Sequence, residues 1–125
     1  MVTWRFGLRR TEREANKRSG RLLANVERTC TVLGQVGEDH WGQWMATVLN
    51  ELAAHDAHGL DRLLSAYGGM GSFNDLVITP LNGHTVSAGD VDRVNRELSR
   101  LRSEMYDDAA ALRHTTPGTE LPHSE

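Results

Sequence analysis

Tyr67-Gly68-Gly69-Met70-Gly71-Ser72-Phe73-Asn74-Asp75 is where a helical pattern runs into three glycines and then into Leu76-Val77-Ile78-Thr79, a run rich in β-branched residues. Glycine reaches backbone conformations that other residues avoid, so a cluster of it after a periodic apolar segment marks a chain reversal. The chain on either side reads as amphipathic helix. The stretch therefore predicts a mainly α protein, a small four-helix bundle-like domain with a short extended or hairpin insert after the third helix.

Upstream, Leu60, Leu63, Leu64 and Tyr67 line one side of a short helix with Asp56 as its N-cap, and Gly59 is tolerated in its first turn. Gly68 is placed at the C′ position, where a left-handed backbone releases the last carbonyls to other donors. Before it, Trp41, Trp44, Met45, Val48, Leu49 and Leu52 recur at helical spacing from about Asp39 to His55, and Glu38 and Asp39 suit the positive end of the helix dipole. The two tryptophans are read as core. A longer helix is expected over Thr11 to Leu33, with Ala15, Leu22, Leu23, Val26, Cys30 and Leu33 on its stripe and Gly34 and Gly37 ending it. Thr11 and Glu14 have the spacing of a capping box, which makes Thr11 the expected N-cap.

Downstream, Pro80 stops the β-branched run and Asn82-Gly83 is a hairpin turn signal, so the insert is either a minimal hairpin closed by Thr85-Val86 or an extended loop. Ser87 or Asp90 caps a last helix whose Val91, Val94, Leu98, Leu101 and Met105 alternate spacings of three and four. That seam either closes the bundle or pairs with a second copy of the chain. The domain is expected to span residues 11–113, after a basic arm at 1–10 and before a disordered tail at 114–125 that carries Thr115-Thr116-Pro117-Gly118, Pro122 and Ser124 and cannot bury a face.

With 125 residues and 38% hydrophobic content there is room for a single, lean core. Residues 1–21 carry seven basic side chains against two acidic ones. The formal net charge of −3 then leaves −8 on the remainder. Arg5, Arg9, Arg10, Arg13, Lys17 and Arg18, with Trp4 and Phe6 among them, are the candidates for nucleic-acid contact. The alternative is that they solvate the first helix. Cys30 is the sole cysteine and is placed in the core, so no internal disulfide forms. No apolar run approaches the ~20 residues that span a bilayer, and no hydrophobic block of signal-peptide length follows the first arginines, which predicts a cytoplasmic protein without membrane association.

The glycine motif lacks the Walker lysine and the G-x-G-x-x-G spacing, and it follows a helix where a phosphate loop would precede one, so no nucleotide or other cofactor is expected. Ser72 could open a new turn whose N–H groups face an anion. The structural alternative has Met70 and Phe73 plugging the core while Asn74 or Asp75 bonds the backbone of the turn. Glu51, His55, His58 and Asp61 would share a face on an unbroken helix, but the break at Asp56 spoils the spacing and no metal site is expected. No nucleophile with its base, and no paired acid and base, is visible, so no catalytic residue is assigned.

The segment from Asp56-x-x-Gly59-Leu60 through Tyr67-Gly68-Gly69-Met70-Gly71-Ser72-Phe73-Asn74-Asp75-Leu76 resembles a family of short bacterial proteins of unknown function. Their pattern is an aromatic residue, Gly-Gly-Met-Gly-Ser, an apolar residue, Asn-Asp and an apolar residue. The resemblance covers about the middle half of the chain, leaves out the basic first 21 residues, and implies no activity, substrate or cofactor. Small proteins of this sort are suspected to act as immunity or regulatory partners of other proteins. The leading expectation is accordingly a non-enzymatic protein-interaction module. Nucleic-acid binding by the basic arm and ligand binding or hydrolysis at the glycine motif are the alternatives.

Overall fold

The structure is a computed structural model that describes the backbone of residues 2–115 and the side chains of residues 11–114. The described residues form four α-helices and no β-strand: α1 (Val2–Gln35), α2 (Asp39–Ala53), α3 (His58–Ser65) and α4 (Val91–Thr115). Single turns of 3₁₀ helix lie between the last two, at Phe73–Asp75, Pro80–Asn82 and Ala88–Asp90. α1 packs against both α2 and α4, and α3 against both α2 and α4, so the helices close a ring around one core. The mainly α bundle read from the periodicity is the fold.

The α1–α2 hairpin is set by local hydrogen bonding. Gly37 takes the left-handed conformation (φ 74°), Glu38 N–H donates to Leu33 O at 2.9 Å and Gly37 N–H to Gly34 O at 3.3 Å, the paired bonds of a Schellman motif. The same Glu38 caps α2, its carboxylate accepting from Trp41 N–H at 3.1 Å. α2 ends in a second such motif, with His55 at φ 58° and Asp56 N–H donating to Glu51 O at 2.9 Å. Asp56 then caps the next helix in hydrogen bonds, its Oδ1 accepting from His58 N–H at 2.9 Å, although Ala57 precedes the first full turn of α3.

The core follows the expected stripes: Leu22, Val26 and Leu33 from α1, Met45, Val48 and Leu52 from α2, Leu60 and Leu63 from α3, and Val94, Leu98, Leu101 and Met105 from α4. Trp41 and Trp44 are half-buried against it, and so is Cys30. Gly59 is more than tolerated. A Cβ there would lie 2.9 Å from Leu52 Cδ2 and 3.2 Å from Glu51 Cβ, so the missing side chain lets α3 close onto α2.

Several expectations need correction. α1 begins at Val2, so Thr11 lies inside the helix and is not its N-cap. The backbone of residues 2–10 continues α1 instead of forming a separate arm, and its side chains lie outside the described residues. α4 reaches Thr115, two residues past the expected boundary, and the proposed tail from 116 onward lies outside the described residues. Met70 does not plug the core; it is 99% exposed. Gly68 is not the left-handed residue either. That conformation falls to Gly71 (φ 83°), because the chain turns after Met70 and not directly off the helix end.

Of the two forms considered for the insert, the extended loop is the one present. The groups that would build a ladder are taken by side chains: Asn95 Oδ1 accepts from Ile78 N–H at 2.8 Å while its Nδ2 donates to Ile78 O at 2.7 Å. Thr79 N–H donates to the His84 ring at Nδ1, 3.1 Å away, and only His84 N–H to Thr79 O, at 3.2 Å, keeps a hairpin-like backbone bond.

Candidate functional site: a groove between the glycine segment and α4

α3 delivers the glycine segment to α4, and Phe73 anchors it. The Phe73 ring is fully buried, 5.5 Å from the Trp41 ring and 5.8 Å edge-on from Tyr67, and its N–H donates to Ala66 O at 3.0 Å. Ser72 Oγ accepts from Asn74 N–H at 3.3 Å and reaches Gly68 O at 3.4 Å, while the Asp75 carboxylate accepts from Gly71 N–H at 3.0 Å. These bonds close the turn on itself in the manner of a capping box shifted by one residue, with Asp75 reaching Gly71 N–H and not that of Ser72. They account for Ser72 and Asp75 as turn-forming residues.

Arg102 ties the segment to α4. Its Nη1 donates to Phe73 O at 3.1 Å and Leu76 O at 2.8 Å, its guanidinium carbon lies 5.8 Å from the Phe73 ring centroid, and Tyr67 Oη donates back to Arg102 O at 2.8 Å. Burial holds Arg102 below the usual arginine range and pushes the Tyr67 phenol well above its ordinary value. Both groups keep their protons at neutral pH.

Between segment and helix runs a groove of about 440 Å³ lined by Tyr67, Gly68, Asn74, Arg102, Ser103, Tyr106 and Asp107. The Tyr106 ring meets the Tyr67 ring at 5.1 Å, edge to face. The side chains of Asn74, Ser103 and Asp107 make no hydrogen bond or ion pair among the described residues. Asn74 is thus the motif residue whose side chain is turned to the groove and left unused by the turn. The groove around it is completed by Tyr67, Gly68 and α4 residues, and not by His55, His58 or Trp41.

A second depression of about 380 Å³, lined by Arg18, Arg21, Glu104, Asp107 and Asp108, lies on the other side of Asp107. Asp108 is 2% exposed and accepts from Arg21 Nε and Nη2, both at 2.7 Å, and from Arg18 Nη1 at 3.0 Å. Further along the same antiparallel face Arg28 grips Glu97 with bonds of 2.6 and 2.8 Å. Of the basic candidates, Arg18 is therefore occupied in an ion pair. Arg13 and Lys17 are exposed, and Arg5, Arg9 and Arg10 lie outside the described side chains. Asp108 had a signal in the sequence: it continues the α4 seam one step beyond Met105, a charged residue at a core register.

Three of the four residues Glu51, His55, His58 and Asp61 have other partners. Glu51 takes Arg62, Asp61 takes Arg113, and His58 sits on Asp56, with no group of three or more His, Cys, Asp or Glu among the described residues placed to hold a metal ion. Nor is any helix among them long and apolar enough to cross a membrane.

Fold and groove together define a small mainly α protein with a polar, aromatic-walled surface cleft. Residues 34–87 are similar to the family described as Domain of unknown function (DUF6966). No curated protein and no solved structure matches the chain. The family match contains the whole glycine segment but stops short of α4. One wall of the groove, Tyr67, Gly68 and Asn74, lies inside it, and the other, Arg102 to Asp107, lies outside.

Proposed function

We propose that the protein is a protein-interaction module, an immunity-like or regulatory partner of another protein, and that the groove between the glycine segment and α4 is its docking site. The observation that carries this reading is the pairing of two tyrosine rings with the polar side chains of Asn74, Ser103 and Asp107, which have no hydrogen-bond or ion-pair partner among the described residues. Tyrosine is enriched at protein interfaces because it offers a rigid apolar face and a polar edge in one side chain. Met70, held out by the glycines on either side of it, adds an apolar contact on the same segment. Exchanging Tyr106 for a photo-crosslinking phenylalanine analogue is the direct test in native lysate. A discrete adduct that disappears when Asn74→Ala and Asp107→Ala are added supports the docking site; equal labelling with and without those changes removes it.

A second reading keeps the basic residues of α1 as a nucleic-acid contact, supported by the exposure of Arg13 and Lys17 one helical turn apart and outside any ion pair among the described residues. Electrostatic binding of this kind weakens steeply between about 50 and 200 mM salt. Affinity for a DNA duplex that stays flat over that range, or survives Arg13→Ala with Lys17→Ala, excludes it.

A further inference from the structure

Resting on the docking role proposed above, we infer that the groove receives an extended polypeptide segment carrying an arginine or lysine side chain. The cation sits between the tyrosine rings and Asp107, and the peptide backbone is read by Asn74. The groove combines two tyrosine rings with polar groups, and its two ends differ. At one end the Arg102 guanidinium is spent on the carbonyls of Phe73 and Leu76 and on Ser99 Oγ, so it holds the floor in place and adds positive charge there. At the other end Asp107 is an exposed carboxylate with no cation of its own among the described residues, close enough to Tyr67 to help raise its phenol.

A cation is attracted to the faces of tyrosine rings, and a guanidinium stacks on them while still presenting N–H groups to a carboxylate. Tyr106 and Asp107 supply the two halves of that site on adjacent residues of α4. Arg18 and Arg21 line the adjoining depression with Asp107, but both are spent on Asp108, which leaves the Asp107 carboxylate without an ion pair among the described residues and free to meet an incoming cation. Asn74 adds a primary amide that both donates and accepts, the combination that pairs with a peptide group. It stands at the Arg102 end, where a backbone carbonyl is favoured and a second cation is not. An acidic peptide would set its charge against Asp107, and a nucleic acid would do so along its whole length.

The test uses the full-length 15N-labelled protein and three capped hexapeptide probes that differ only in two central positions, both arginine, both glutamine or both glutamate. Amide shifts of Gly68, Asn74, Ser103, Tyr106 and Asp107 should saturate with the arginine probe at an affinity about tenfold above that for the glutamine probe, a difference of ~1.4 kcal/mol. Asp107→Asn, an exposed and nearly isosteric change, should remove most of that preference, while Asp92→Asn, elsewhere on α4, should leave it intact. Preference for the glutamate probe in the same residues overturns the basic ligand and leaves the docking role standing. Probes that all leave the groove resonances unmoved up to about 5 mM, the range of very weak complexes, overturn both. Binding by the arginine probe that Asp107→Asn does not weaken also overturns the assignment.

Discussion

Gly68, Gly69 and Gly71 look equivalent in a sequence, yet only Gly71 uses glycine's freedom, at φ 83° with nothing within 4 Å of its absent Cβ. The cost of a side chain there is pure backbone strain. Gly71→Ala should lower stability by about 1–2 kcal/mol in urea denaturation. Gly68→Ala should be neutral or gain up to ~1 kcal/mol by restricting the unfolded chain. Equal effects at the two positions would contradict the assignment of the turn. His84 gives a second test. Its Nδ1 accepts from Thr79 N–H while Nε2 lies 2.9 Å from the Glu38 carboxylate, which requires the Nε2–H tautomer. The 15N shifts of the ring at neutral pH should show it, and the Nδ1–H form would refute the geometry. Asp108 is the residue on which α1 and α4 agree electrostatically. Asp108→Ala leaves Arg18 and Arg21 facing a void, and a loss of about 2–3 kcal/mol is expected, less than for a fully buried pair because both arginines reach solvent.

The elements themselves were legible because periodicity reports burial directly. The seam Val94, Leu98, Leu101 and Met105 and the stripe Leu22, Val26 and Leu33 lie where their spacing put them. What spacing could not show is pairing across the core: that Asp108 would meet Arg18 and Arg21, or that Asn95 would clamp Ile78, depends on which helix lies opposite. The start of α1 was misplaced for a related reason, since the Thr11 box is a local signal and the helix around it is continuous. The glycine segment could be located but not folded on paper. Its shape depends on Arg102, which holds Phe73 O and Leu76 O across 29 and 26 residues of chain, and the α4 wall of the groove was invisible until that contact existed. The clamp is testable at the level of the element. Asn95→Ala should raise hydrogen exchange at the Ile78 amide sharply while the central amides of α1 and α4 keep their protection. Uniform loss of protection would mean that the loop is integral to the core.

Across the whole molecule, charge is asymmetric in sequence and partly neutralised in space, as α1 arginines meet α4 carboxylates. The Arg28 hydrogen bond holds Glu97 below its ordinary value of 4.5, and Arg100 does the same for Glu104. Burial pushes Glu38 up, but the His84 and Trp41 hydrogen bonds outweigh it and its carboxyl also lies low. Each of these three carboxyls is more acidic folded than unfolded. Their contribution is therefore complete above about pH 4.5 and is lost as pH falls through the folded values. Stability measured from pH 6 to pH 3 should decline below that point, and Glu97→Gln should flatten the decline. A curve unchanged by that substitution would show that the Arg28–Glu97 pair adds nothing.

The Asn95 and Arg102 ties also impose an order of synthesis. A ribosome delivers α1, α2 and α3 first, and the α1–α2 hairpin can close with its own Schellman turn while translation continues. The carbonyls of Phe73 and Leu76 and both backbone groups of Ile78 wait longer, because Asn95 and Arg102, which hold them, have yet to emerge. Until α4 arrives Ile78, fully buried in the finished protein, lacks the two hydrogen bonds that seat it. The arrival of α4 supplies them and completes the second wall of the groove in the same event.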